Sequence, residues 1–266
     1  MEVKHSNEKL RDVGKVERKP SQRGFHQGLI VDTPHIHHIE TRPNGGVVDH
    51  PGSWRLAYQP KSQGSGFRFD LYFDGKEVCL NEIVNPKWPI YPVASGSCIF
   101  ADAYGFVDGS QRWNITKINL GIEDFRASKV AIIDAFHELG HAIIYETILR
   151  AIKEKDKSVL MELVQAFFPK ARLTEPELPE LPSGSFGKEI SDALDFFKAW
   201  LVQNNLGHLN RRLHERGAWA YALRAAKGLG LLEEIKHAEV HERYHSYLAT
   251  YGDEVLEKAG AIAGRK

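Results

Sequence analysis

The stretch "SKVAIIDAFHELGHAIIYETILRAIKEK", residues 128–155, decides how the rest of the chain is read. Val130, Ile133, Ile144, Ile148 and Ile152 recur at threes, fours and sevens, the period of a helix, and Ser128 stands where an N-cap belongs. Within it, "FHELGHAIIYE" (136–146) places two histidines four apart with a glutamate directly after the first. A helix turns about 100° per residue, so His137 and His141 lie on one face, one turn apart, and can aim their imidazoles at one metal ion. Glu138 flanks that face and can reach a water on the metal without being a ligand, which is the mechanical content of an HExxH motif. Leu139 and Gly140 between them are uncharged. Gly140 costs the helix about 1 kcal/mol relative to alanine, a cost that makes sense where another backbone or a substrate must come close. Glu146, about 140° around the helix from His141, cannot converge on the same ion.

Before this helix the pattern differs. Residues 28–121 read as strands and turns: "RFDLYFDGKEVCL" alternates and breaks at Asp74-Gly75, a hairpin signal, and "RWNITKINLG" is β-branched and aromatic up to Gly121. After it, "SVLMELVQAFF" is a shorter helix ending at Pro169, and the Pro- and Glu-rich connector 170–187 cannot continue it. Three more helical stretches follow, at about 188–203, 208–227 and 231–250. Strands first and helices after predict an α+β fold, a strand-rich part 25–127 packed on a helical part 128–266 in a single domain. Residues 1–24 are polar and aperiodic and read as a mobile tail.

Composition restricts the setting. The 266 residues are 42% hydrophobic and 26% charged, with 35 basic residues against 35 acidic ones. That balance lacks the basic footprint of a nucleic-acid binder. Two cysteines supply no disulfide framework, the N-terminus has no apolar core for a signal peptide, and no apolar run approaches about 18 residues. The expectation is a cytoplasmic protein that engages neither nucleic acid nor membrane.

Two histidines need a third ligand, since a catalytic zinc keeps three protein ligands and one open position. A metzincin would carry glycine at 144 and histidine at 147; Ile144 and Thr147 stand there instead. The best candidate is Glu215 in "RRLHERGAWAYALRAAKG" (211–228), a strongly helical stretch with small and aromatic residues at 218, 219 and 222. An HExxH helix followed by a second helix carrying Glu, with Ala three residues on, resembles the gluzincin metallopeptidases. In style it is most similar to the minimal type that includes the ImmA/IrrE repressor-cleaving proteases. The likeness covers about residues 128–150 and 208–227. It implies a zincin-like active-site helix, Zn²⁺ on His137, His141 and Glu215, and Glu138 as the catalytic carboxylate.

Rivals for the third position are Glu189, which opens a helix with Asp192 one turn on, and Cys98 in "ASGSCIFA", which would give a deformylase-like Cys/His/His site. A second HExxH, "HERYH" at 241–245, carries Arg243 between its histidines, a cation poorly placed beside a divalent metal, and sits in a stretch charged on several faces. The "HIHH" cluster at His35, His37 and His38 reads as loop chemistry. Candidates for the second electrophile of a hydrolase are Arg211, Arg212, Tyr145 and Tyr221, while Trp219 suits packing between the two helices. In the gluzincins an edge strand pairs with extended substrate, and residues 112–120 are the expected edge. An internal position for that strand would sharply weaken a proteolytic reading. The leading expectation is a zinc metallopeptidase acting on a peptide or protein substrate. The alternatives are a zinc amide hydrolase for a small or formylated substrate, and a regulatory module with structural zinc.

Overall fold

The hairpin signal at Asp74-Gly75 is realised directly. Both residues take positive φ (45° and 68°), as a two-residue turn matched to strand twist requires, and Phe73 faces Lys76 across it. The computed structural model describes residues 45–50, 54–93, 96–107, 110–235 and 237–249; the predicted tail 1–24 and the His35, His37, His38 cluster lie outside them. Strands β1 (Gly46–His50), β2 (Trp54–Pro60), β3 (Phe67–Phe73) and β4 (Lys76–Cys79) form an antiparallel meander in sequence order. Period-two alternation puts Trp54, Leu56 and Tyr58 of β2 and Phe69, Leu71 and Phe73 of β3 into the core.

A second sheet is built from β5 (Ile90–Val93), β6 (Cys98–Val107) and β7 (Ser110–Gly121) in the order β5-β7-β6. This corrects the expected edge. Residues 118 and 119 of the 112–120 segment lie between β5, parallel over residues 118–121, and β6, antiparallel, whereas residues 112–117 pair with β6 alone. Strand propensity at 112–120 is real, but it carries no information on which neighbour closes the sheet. The outer strand beside the helices is β6. Ile118 donates its N–H to Pro89 O (2.9 Å), on the β5 side, so the Ile99–Ile118 pair is a non-hydrogen-bonded one. The N–H and C=O of Ile99 therefore face outward from the sheet.

The helices are α1 (Ile122–Ala127), α2 (Ala131–Lys153), α3 (Lys157–Phe167), α4 (Phe186–Gln203), α5 (Asn210–Leu229), α6 (Leu231–Glu234) and α7 (His237–Ala249). The fold is α+β, as the change of pattern near residue 127 predicts. Helix α2 begins at Ala131, later than the cap reading places it; Ser128 Oγ instead accepts the Val130 N–H (3.2 Å) in the turn that precedes the helix. Helix α3 is capped by Asp156, which accepts from the N–H groups of Ser158 and Val159. The third predicted C-terminal helix is broken in two, because Ile235 adopts an extended conformation and buries its side chain. Helical periodicity cannot see such a break.

Helix α2 is the axis of the molecule. It is buried on nearly every face, as an all-round apolar helix must be, and buried side chains from both halves of the chain form one contiguous core around it. Lys76 at the β3–β4 hairpin donates to the Leu229 carbonyl (3.1 Å), and Gly230 ends α5 in the left-handed conformation (φ 79°). No described helix is long and apolar enough to cross a membrane.

Arg243 of α7 clamps Asp134 of α2 in a fork. Its Nε lies 3.0 Å from one carboxylate oxygen and 3.2 Å from the other, and a terminal nitrogen lies 2.5 Å from the nearer one. The Asp134 carboxyl is buried, and burial pushes its pKa up against the opposing pull of Arg243. An acid whose folded pKa is raised is penalised in its ionised form, and the penalty disappears as pH falls through that folded value. Removing the guanidinium enlarges the penalty. Arg243→Ala should cost about 1–3 kcal/mol near neutral pH, less than the loss of a wholly buried partner because the Arg243 side chain is 41% exposed. Denaturant melts at pH 7 and pH 4 check this: the deficit must shrink at the lower pH, and a deficit that grows there would refute the ionic account.

Candidate metal centre

The site is assembled where α2 crosses α5. An ideal Cβ on Gly140 would lie 2.8 Å from the Ala218 carbonyl oxygen and 2.9 Å from its Cα, closer than real Cβ atoms come. On the neighbouring turn, a Cβ on Gly217 would meet Ile144 Cδ1 at 2.5 Å. Glycine at 140 thus admits the backbone of α5, the close approach expected from the sequence. One helical turn before Ala218, α5 delivers Glu215 to the histidines.

The three ligand atoms meet. His137 Nε2 and His141 Nε2 are 3.1 Å apart, and one Glu215 oxygen, Oε2, lies 3.2 Å from the first and 3.6 Å from the second. Ligands held tetrahedrally by bonds of about 2.0–2.1 Å stand about 3.3 Å from one another, so the three separations bracket the value a metal would impose. All three side chains are buried, and among the described residues theirs is the group that could hold a metal ion. Glu215 Oε2 is shut away from solvent in a position that serves an ion better than it serves any hydrogen bond.

The rings are oriented by packing. Trp219, one turn beyond Glu215, lies with its ring centroid 4.6 Å from that of His137, and Tyr145 stands 5.9 Å from His141. The sequence expectation for Trp219 was helix–helix packing; it does that by lying on a ligand. His141 Nδ1 has no hydrogen-bond partner among the described residues, so the usual carboxylate or carbonyl that steers a ligating histidine is replaced there by ring contacts.

Glu138 sits beside the cluster, its Oε1 3.9 Å from His137 Nε2, while its Oε2 accepts the outward N–H of Ile99 on β6 (3.0 Å). Burial pushes its pKa up to about 7, with the charge of His141 opposing and that of Glu215 adding to the rise. Burial acts on Glu215 in the same sense, but the two imidazoles facing it outweigh that and hold its carboxyl well below the usual range. His137 is pushed down, first by burial, with Glu215 opposing.

The other predicted residues separate cleanly. Tyr145 lies by the cluster. Tyr221 instead lines a small cavity with Gly140, Ile144, Leu163, Phe167 and Gly217, on the side of α2 that faces α3. Arg211 is exposed at the start of α5 and Arg212 half-buried beside it. Of the rivals, Glu189 is engaged by Lys153 at 2.7 Å and Asp192 by Lys188, and Cys98 is exposed on β6 with its Sγ accepting from Asn119 Nδ2. None joins the ligand group. Glu146 accepts from the Asn85 N–H and from Trp88 Nε1, on the opposite side of α2, as its angle on the helix requires.

His214 was not anticipated. It is buried between Tyr145 (ring centroids 5.3 Å) and Phe197 (6.0 Å), and burial pushes its pKa down to about 3, which keeps the imidazole neutral. Its only sequence signal is adjacency to Glu215, since helical geometry turns it about 100° away from the ligand.

Compared with protein-family models, with curated proteins and with solved structures, the chain matches none of them.

Two variants separate ligand chemistry from the crossing that creates it. Glu215→Ala should remove one equivalent of Zn²⁺ uptake, read by equilibrium dialysis, while the far-ultraviolet circular dichroism stays that of the parent. Gly140→Ala gains about 1 kcal/mol of helix propensity but forces a methyl into a backbone, an overpacking cost of about 1–3 kcal/mol. The steric effect should win, lowering both the melting temperature of the metal-free protein and its metal affinity. A melting temperature unchanged or raised would show that the crossing is looser than described.

Proposed function

We propose that the protein is a zinc-dependent metallopeptidase of the gluzincin type it resembles, hydrolysing peptide bonds with Glu138 as general base. The observation that carries this reading is the placement of one buried carboxylate, Glu138, between a three-ligand cluster and the outward edge of a β-strand. Two histidines and a glutamate are a donor set typical of catalytic zinc, and they leave an open position. Zinc bound there would lower the pKa of its water from 15.7 towards about 7 and polarise the scissile carbonyl.

The chain's own groups do the rest. Glu138 accepts a proton from the attacking water as the new C–O bond forms, then returns it to the nitrogen as the C–N bond breaks. The carbonyl oxygen gains negative charge during attack, and Tyr145 and the neutral His214 are the polar groups near the cluster suited to donate hydrogen bonds to it. An extended peptide binds by adding to the outward edge of β6, where the Ile99 N–H is held by Glu138 and the Ile99 C=O points away from the sheet ladder. This role passes to β6 from the 112–120 strand, whose central place denies it an edge over residues 118–121. The deformylase-like alternative rested on Cys98, which is absent from the ligand group, so a polypeptide substrate is favoured over a formylated one.

Glu138→Gln should keep its metal, measured by atomic emission, and lose cleavage of an unfolded protein substrate by at least about 10²-fold, the typical worth of a positioned general base. Cleavage surviving in a metal-loaded Glu138→Gln protein would sink the mechanism. A wild type that binds zinc yet cleaves neither folded nor unfolded proteins would favour a structural metal.

A further inference from the structure

The second HExxH stretch is not absorbed by this function. From the geometry of its histidines we infer that His241 and His245 on α7 form a separate transition-metal site, one that takes Cu²⁺ in preference to Zn²⁺. Their four-residue spacing brings the rings to 4.0 Å and the two Nε2 atoms to 2.9 Å. Two nitrogens bonded to a metal at about 2.0–2.1 Å stand about 2.9 Å apart at a right angle and about 3.3 Å apart at the tetrahedral angle. The pair is thus spaced as two neighbouring ligands of one ion, a separation that an N–H···N hydrogen bond between the rings also gives. Square-planar and tetragonal nitrogen sites belong to Cu²⁺ and Ni²⁺, and Cu²⁺ heads the general affinity order for such ligands.

The objection raised by the sequence is removed by the fold. Arg243, two residues along the helix from each histidine, is turned to the far side of α7, where it holds Asp134. His241 is exposed and His245 half-buried, so the pair opens to solvent with room for water or small ligands at the remaining positions. The site also has a structural consequence. Between the two histidines, Tyr244 packs edge-on against Trp219 (5.6 Å), the ring that lies on His137, so a metal bridging 241 and 245 clamps the turn of α7 that buttresses the centre.

The test compares the full-length wild type with His241→Gln and with the double variant His241→Gln/His245→Gln, in equilibrium dialysis against Cu²⁺ and separately against Zn²⁺. Both variants should bind one equivalent of Cu²⁺ fewer than wild type, and lose the corresponding two-nitrogen tetragonal signal in electron paramagnetic resonance. Both should keep the equivalent that Glu215→Ala removes. Half-saturation of the α7 site should need at least about 10-fold more Zn²⁺ than Cu²⁺. Equal copper stoichiometry in wild type and double variant would overturn the proposal and assign any extra equivalent to other histidines. Zinc binding there as tightly as copper would overturn the geometric assignment. Neither outcome bears on the peptidase reading, whose ligands are untouched.

Discussion

The closest approach of two backbones in the site, that of α2 and α5 at Gly140 and Ala218, is the constraint on which everything else depends. A carboxylate reaches only a short way from its helix, so Glu215 can share an ion with His137 and His141 only if the two helices nearly touch. Glycine at 140 and glycine at 217 remove the side chains that would hold them apart. The cost is about 1 kcal/mol of helix propensity at each position, and it is offset by burial of apolar side chains around the crossing, where a large one such as Ile144 is worth about 1.5–3 kcal/mol. Ile144, Ala218, Trp219 and Ala222 are all buried there. Packing therefore fixes the ligand geometry before any metal arrives.

This explains why the centre was readable in the sequence and its surroundings were not. His137, Glu138 and His141 follow from helical periodicity alone, and the departure of Glu146 follows from the same angle. Glu215 was legible because a carboxylate on a second small-residue helix is what such a pair lacks. The hairpin at Asp74-Gly75 was legible because two positive-φ residues select its turn. Sheet order was illegible: 112–120 and 98–107 both have strand character, and which becomes the outer strand depends on where β5 docks, a tertiary event. The break at Ile235 depends likewise on a burial site that local pattern cannot foresee. His214 escaped because the signal that picked out Glu215 directs attention one residue away from it.

Orientation of the ligands by rings has a further implication for how α7 serves the centre. Trp219 lies on His137, and Tyr244 lies on Trp219. Arg243, beside Tyr244, grips Asp134, one turn before His137 on the same helix. Two adjacent residues of α7 thus reach towards the histidines by independent routes, one through an edge-on ring contact to Trp219 and one through a half-buried ion pair with Asp134. A helix whose charged outer face reads as merely solvated thus packs behind the residues that surround His137.

The two glutamates show most directly how environment divides labour between identical side chains. Both are buried to the same degree, so desolvation alone would raise both. Glu215 faces two imidazoles, which outweigh burial and keep it anionic, the state a ligand needs. At Glu138 desolvation prevails over the opposing charge of His141 and the Ile99 N–H, with Glu215 adding to the rise, and its carboxyl is pushed up. The division resides in the crossing of the helices and in the strand edge above them, since the side chains themselves are the same.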